Sequence, residues 1–191
     1  VTLVDGLQTI GTSVFEGCSQ LQKLLLPNSV KEMGESVCSG CNGMTQLTLS
    51  TSTEFTIIPL RTFASCTSLT EITIPPNVKT IGDNAFSSCK GITSLKLPSN
   101  LESIGGSAFN NCESLKGSLV IPNKIKYLHN YIFFNCALDG TLTLPDGLLT
   151  IENNAFYGCP FQGELHLPKS LLSIGENAFL SGNFTGDLVL P

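Results

Sequence analysis

The 191-residue chain contains no tryptophan, two histidines and a single arginine, Arg61. Charged residues make up 13% of it and hydrophobic residues 41%, against the ~25% charge of an ordinary soluble domain. That balance excludes intrinsic disorder, which needs high charge and low hydrophobicity. The net charge is −5, and no basic cluster is present, which argues against a nucleic-acid groove or an anionic membrane surface. No apolar run approaches the ~18 residues of a membrane span, and no charged-then-apolar leader opens the chain. Catalytic signatures are also missing. There is no G-x-S-x-G, phosphate-loop or dinucleotide pattern, and the nearest glycine-rich stretch, Ile104-Gly105-Gly106-Ser107, reads as a bend. No carboxylate pair recurs as an acid/base dyad would. His129 and His166 fall at different places in the pattern described next, and do not converge on a nucleophile or metal. The expectation is a non-enzyme without cofactor or metal.

What is present is a repeat, and self-comparison precedes any local reading. An apolar-x-apolar triplet followed by proline ends at Pro27, Pro75, Pro98, Pro122, Pro145, Pro168 and Pro191. The last six prolines are spaced 23, 24, 23, 23 and 23 residues apart. A degenerate copy, Leu47-Thr48-Leu49, has Ser50 where proline is expected and a longer Thr51–Glu54 loop. Three further ladders share the period. Phe15, Phe63, Phe86, Phe109, Phe133, Phe156 and Phe179 recur, with Cys38 in the vacant slot. Three residues after each slot stands Cys18, Cys41, Cys66, Cys89, Cys112, Cys136 or Cys159, and Gly182 in the last copy. Five residues before it stands an aliphatic residue, as at Ile10, Met33, Ile58, Ile81, Ile104, Leu128, Ile151 and Ile174.

Within one unit, Leu69 to Ile74 ends in the alternation of a half-buried strand. Proline then ends the strand, having no N–H for a ladder. A short extended piece follows, Val78 to Ile81, and then a glycine (Gly11, Gly34, Gly82, Gly105, Gly175) expected to allow a bend of unusual φ. Asp83 to Cys89 is expected to make one helical turn, with Ala85, Phe86 and Cys89 inward. A unit of this size cannot bury both apolar edges alone, so neighbouring units must stack. From Leu115 onward the approach to each strand gains a residue and a glycine, at Gly117, Gly140, Gly163 and Gly186. Those glycines are expected at β-bulges.

The consensus Leu-x-x-Leu-x-Leu-Pro-x-x-Leu-x-x-Ile-Gly-x-x-Ala-Phe-x-x-Cys resembles a leucine-rich repeat, and within that class the 23-residue subtype of BspA-like and treponemal proteins. The resemblance covers the whole chain. Departures fall at His129, Glu152 and Pro59, which replace the bend glycine, and at Cys38. It implies one right-handed β-rich solenoid over residues 1–191, of about eight coils, with a parallel concave sheet and short helical turns. Coils stack about 4.8 Å apart, as strands do. The array begins inside one repeat and stops at the proline of another without polar caps, which reads as a piece of a longer protein.

Seven of the eight cysteines hold one recurring place, which is the behaviour of a small core residue. Parallel side chains on stacked coils do not favour disulfides. Cys38-Ser39-Gly40-Cys41 is formally a C-x-x-C, but it lacks the βαβ context of a redox motif and the second ligand pair of a zinc site. Cys38 is better read as a stand-in for phenylalanine. Asn183-Phe184-Thr185 is a lone glycosylation sequon and carries no weight.

The remaining candidate is a surface. The middle residue of each Leu-x-Leu strand points outward between two buried ones, which gives the row Leu25, Thr48, Thr73, Lys96, Val120, Thr143, His166 and Val189. The row is neutral and threonine-rich. It suits a β-rich solvent face and an interaction surface equally. BspA-like proteins are typically surface-exposed or secreted adhesins, so the resemblance implies a protein- or cell-surface-binding module, with a host ligand as one option. It implies no nucleic acid and no membrane insertion. An intracellular protein-interaction scaffold is the alternative.

Overall fold

The coil is closed by three backbone ladders, each built from a different part of the repeat. The structure is a computed structural model that describes residues 3–187. It is a parallel-strand β-solenoid of about eight coils, numbered here from the aliphatic ladder residue, so that coil 1 holds Ile10, Phe15 and Leu25 and coil 8 holds Ile174 and Phe179.

The first ladder runs through the aliphatic residues. Thr9–Ile10 pairs with Glu32–Met33. Ile57–Ile58, Thr80–Ile81 and Ser103–Ile104 form a three-stranded parallel sheet, and Tyr127–Leu128, Thr150–Ile151 and Ser173–Ile174 form another. The register is one repeat per rung, as Ile58↔Ile81↔Ile104 shows. The next N–H continues each rung: Gly82 N donates to Ile58 O at 2.7 Å and Gly105 N to Ile81 O at 2.8 Å. Pro59 has no such N–H, and the ladder is interrupted between coils 2 and 3; it is interrupted again between coils 5 and 6, where His129 N makes no bond to Ile104 O.

The second ladder is the turn, and here the expected helical turn is corrected: among the described residues there is no helix. Each coil instead places two residues in the left-handed region, four apart, such as Ser13 and Gly17, Asn84 and Ser88, or Asn154 and Gly158. This alternation splits the amides into two sets. Ala85, Ser87 and Cys89 donate back within the coil, to Gly82, Asn84 and Phe86. Asn84, Phe86 and Ser88 donate across to Gly106, Ala108 and Asn110 of the next coil, at 2.7–2.9 Å. A helix would turn every amide inward and leave neighbouring coils unbonded on this side. Glycine and asparagine recur at these positions because they tolerate the left-handed region best, and serine, the other frequent occupant, is small.

The third ladder, through the Leu-x-Leu strands, is discontinuous. Lys23–Leu25 pairs with Gln46–Thr48, and Leu119–Val120 with Leu142–Thr143. Between these pieces Ile72–Ile74 and Leu95–Leu97 make no inter-coil backbone hydrogen bond, so the continuous sheet expected from the pattern is replaced by two short ones.

The bend glycines also require correction. None of Gly11, Gly34, Gly82, Gly105 and Gly175 has positive φ. What they provide is room. A Cβ on Gly82 would lie 2.6 Å from Leu60 N, and one on Gly175 2.5 Å from Asn153 N, both in the preceding coil. Gly117, Gly163 and Gly186 do adopt positive φ, 80–86°, whereas Gly140 is another close-approach glycine beside Ser118. Gln162–Gly163 pairs in register with Asn183–Phe184, so no bulge stands at that glycine.

One hydrophobic cluster runs through the stack from Ile10 to Ala178. Its spine is aromatic. Phe63, Phe86, Phe109, Phe133, Phe156 and Phe179 stack with centroids 5.3–5.7 Å apart and rings within 20° of parallel. In the degenerate copy, Ser50 is fully buried and donates to Val30 O at 2.7 Å, which satisfies a hydroxyl where proline stands elsewhere.

Candidate interaction surface

The strand-centre row is exposed at each described position, Leu25, Thr48, Thr73, Lys96, Val120, Thr143 and His166. Val189 lies outside the described residues. Leu25 is 47% and Val120 61% exposed, while Leu24, Leu26, Leu119 and Ile121 beside them are buried. The alternation fixes the orientation: a register shift of one would expose the leucines instead. The seven residues share a face, but they are not a uniform sheet. At coils 3 to 5, where the backbone ladder is missing, the face opens into a cleft of ~960 Å³. Ile72, Leu95 and Ile121 wall it, Pro98 and Pro122 edge it, and Thr73, Lys96 and Val120 of the row line it. Lys96 is its only charged residue. Nothing in the repeat pattern foretold the cleft, because its coils carry the regular consensus.

The residues weighed for chemistry are accounted for by packing. Cys41, Cys66, Cys89, Cys112, Cys136 and Cys159 are buried, and each thiol reaches a backbone carbonyl of the preceding coil at 3.0–3.4 Å. That carbonyl belongs to the phenylalanine slot, so the cysteine ladder fastens each coil to the phenylalanine below it. Burial pushes the Cys41 thiol up to about 11 and the Cys38 thiol further up. Both remain protonated at neutral pH and are poor nucleophiles and ligands. Cys18 alone is exposed, a departure from the buried ladder. Among the described residues, no three His, Cys, Asp or Glu side chains gather to hold a metal.

His129 and Glu152, which replace bend glycines in successive coils, meet each other. His129 Nδ1 lies 3.1 Å from Glu152 Oε1, and Asn130 N donates to Glu152 Oε2 at 2.9 Å. His166 sits 3.3 Å from Glu164 on the open face. The two histidines belong to separate pairs, as their repeat positions imply. No helix among the described residues is long and apolar enough to cross a membrane.

The BspA-type leucine-rich repeat region model matches residues 1–116 and 117–191, in six copies. The chain belongs to the BspA-type leucine-rich repeat family. Among solved structures, this BspA-type chain is similar to a leucine-rich repeat protein from Bacteroides ovatus, with 27% identity and a TM-score of 0.84 over 96% of the chain and 47% of that protein. It is also similar to the T. pallidum leucine-rich repeat protein, with 30% identity and a TM-score of 0.71 over 82% of the chain and 72% of that protein. A leucine-rich cell surface protein from Faecalibacterium prausnitzii matches at 29% identity and a TM-score of 0.64, over 95% of the chain and 43% of that protein. The chain thus spans about half the length of the first and third of these relatives. No curated protein matches it. The BspA-type fold is typically a scaffold for binding.

Proposed function

We propose that this BspA-type array is a non-catalytic protein-binding module of the adhesion type, displayed outside the cell, and that it binds through the strand-centre face with the cleft at coils 3 to 5 as its centre. The observation that carries the reading is the face itself: an exposed row of short neutral side chains on a rigid stack, opening at Thr73, Lys96 and Val120 into an apolar-walled cleft. Concave, mostly apolar sites with few polar groups are where ligands lodge. The surface location rests on the similar F. prausnitzii protein, which is a cell surface protein. With a single cation, Lys96, in the cleft, binding there is weakly salt-dependent and gains strength from linked coils.

The test is the triple variant Thr73→Glu, Val120→Glu, Thr143→Glu. All three side chains are exposed, so the stack folds. Binding of the bead-coupled array to cultured animal cells and to extracellular-matrix proteins is expected to fall at least about tenfold, while Lys79→Glu with Lys126→Glu leaves it unchanged. Equal binding by wild type and a folded triple variant would remove this face from the interface. A second reading, an intracellular scaffold, is favoured by eight unpaired cysteines, since oxidising compartments select for disulfides. Fractionation separates the two: protease-sensitive chain on intact cells supports display, and a protected cytosolic pool supports the scaffold.

A further inference from the structure

All three tyrosines of the chain, Tyr127, Tyr131 and Tyr157, fall in coils 6 and 7. They lie apart from the strand-centre face, on the aliphatic ladder and the turn. Phe134 and Tyr157, one residue beyond the buried phenylalanine spine in successive coils, stack at 4.8 Å. Tyr131 meets Phe134 edge-on at 5.4 Å. Tyr127 stacks beside His129 at 6.3 Å. These rings are not core: Tyr127 is 50% and Tyr131 42% exposed, and Phe134 and Tyr157 are half-buried.

Tyr131 also stands where the repeat does not want it. Its φ is 58°, and the same slot holds Ser13, Ser36, Asn84, Ser107, Asn154 or Asn177 in other coils. A bulky residue in the left-handed region is strained. Arg61 in coil 3 is the only other bulky occupant. The packing of the stack gives no reason for Tyr131, since its ring is half outside.

Charge supplies the missing half. Residues 128–191 hold six carboxylates against Lys169 as the only lysine or arginine, whereas residues 1–127 hold nine of each sign and include Lys126, directly before Tyr127. All of the net −5 therefore belongs to the coils that carry Tyr131 and Tyr157. Two of those carboxylates, Glu152 and Glu176, follow the aliphatic ladder on the same bend edge as Tyr131. Exposed aromatic rings in a negative field are complementary to a cation, and above all to the planar guanidinium of arginine, which stacks on rings as well as pairing with carboxylates. We propose that the aromatic patch Tyr131–Phe134–Tyr157 is a second docking surface, which takes an arginine-rich polypeptide segment by stacking guanidinium groups on tyrosine within the acidic field of coils 6 to 8. This surface is independent of the strand-centre face. Its binding is strongly salt-sensitive, whereas binding at the strand-centre face is only weakly so.

The experiment uses a fluorescein-labelled peptide of alternating arginine and glycine, with lysine and glutamate versions as comparisons, read by fluorescence anisotropy on the whole chain. The arginine peptide is expected to bind, to lose affinity steeply as salt rises, and to exceed the lysine peptide several-fold; the glutamate peptide is expected not to bind. Tyr131→Asn is expected to weaken the arginine peptide about fivefold while leaving the melting temperature unchanged or higher, because asparagine relieves the backbone strain. A merely structural tyrosine would behave in the opposite way. Tyr157→Leu is a second variant. It installs the residue that the next coil carries at this place, Leu180, so it keeps the packing, and it is expected to weaken binding similarly. Unchanged arginine binding in both variants, or equal binding of arginine and lysine peptides, would overturn the proposal in favour of diffuse acidic attraction. So would a dimer that Tyr131→Asn dissolves, since a second copy would then cover the patch. The triple glutamate variant of the strand-centre face is expected to retain the arginine peptide, so the two surfaces fail separately.

Discussion

Phenylalanine and cysteine three residues apart do two jobs at one rung. The ring fills the centre of its coil and stacks on its neighbours, and the thiol of the next coil closes on the carbonyl of that phenylalanine, as Cys89 does on Phe63 at 3.1 Å. Phe109 is fully buried between Phe86 and Phe133. Phe109→Ala is expected to cost about 3–5 kcal/mol, measured by chemical denaturation, and an unchanged midpoint would deny the spine its role. The thiols make a chemical prediction. In the native protein Cys18 reacts with a thiol reagent at once and the seven buried cysteines react slowly; in denaturant without reductant all eight react. The same burial makes the fold alkali-sensitive. An unfolded cysteine ionises near 9, whereas Cys41 in the fold holds its proton up to about 11 and Cys38 beyond that. The thiols therefore favour the folded state fully below pH 9, and that contribution falls as pH rises from there toward 11, because the unfolded chain binds fewer protons. Melting temperature is expected to drop over that interval. A Cys41→Ala variant, less stable at pH 8, is expected to show a shallower drop, and an identical drop would show that the thiols are not its source.

The turn departs from the helix its residue spacing suggests, and the reason is physical. Ala85, Phe86 and Cys89 have the spacing of a helix face, and buried-type residues at that spacing look the same whether the amides between them turn inward or reach across to the next coil. The signal that separates the two is present: serine, asparagine or glycine recurs at two fixed positions four apart, broken only by Arg61 and Tyr131, as at Ser13 and Gly17 or Asn84 and Ser88, and left-handed residues four apart cannot belong to a helix. The four ladders were legible because burial dictates residue type at those positions. The cleft was not, because it depends on how far neighbouring coils separate, and coils 3 to 5 have regular consensus strands. The aromatic patch is not legible in the pattern, because its rings stand one or two residues outside the ladders, where the pattern predicts solvent. The bend glycines stand where the repeat places them but do not take unusual φ, and most of them instead permit close approach of the preceding coil, which leads to a direct contrast. Gly82→Ala drives a methyl into Leu60 N, a backbone atom that cannot swing aside, and is expected to cost about 1–3 kcal/mol. Gly11→Ala, whose nearest neighbour is the Val14 methyl at 3.7 Å, is expected to stay within about 0.5 kcal/mol. Equal losses in thermal melts would return both glycines to a conformational role.

Across the whole stack, stability is a sum over neighbouring coils, and one interface lacks most of what joins the others. Between coils 2 and 3, Cys38 interrupts the phenylalanine spine, and Pro59 withholds the amide that continues the aliphatic ladder. The Leu-x-Leu strands Gln46–Thr48 and Ile72–Ile74 do not pair. What remains is the turn ladder, with Ser36, Cys38 and Gly40 donating to Leu60, Thr62 and Ala64 at 2.8–2.9 Å. Side-chain links cross as well: Cys66 Sγ donates to Cys38 O at 3.3 Å and Asn77 Nδ2 to Ser52 O at 2.6 Å. Single hydrogen bonds of this kind contribute about 0.5–1.5 kcal/mol each and do not replace a buried ring stack. Coils 1 and 2 are therefore expected to open as a unit, before coils 3 to 7. Native-state hydrogen exchange reads this directly, since cooperative units exchange at a common free energy. The bonded amides of Phe15, Gly34 and Leu26 are expected to share one low value, and those of Gly82, Phe86 and Gly105 a higher one, with a step at Pro59. Fraying from a chain end predicts something different, a gradual rise from coil to coil with no step. Cys38→Phe separates the two further. Restoring the ring between Phe15 and Phe63 is expected to lift protection in coils 1 and 2 toward that of coil 3, whereas under fraying it leaves the gradient in place.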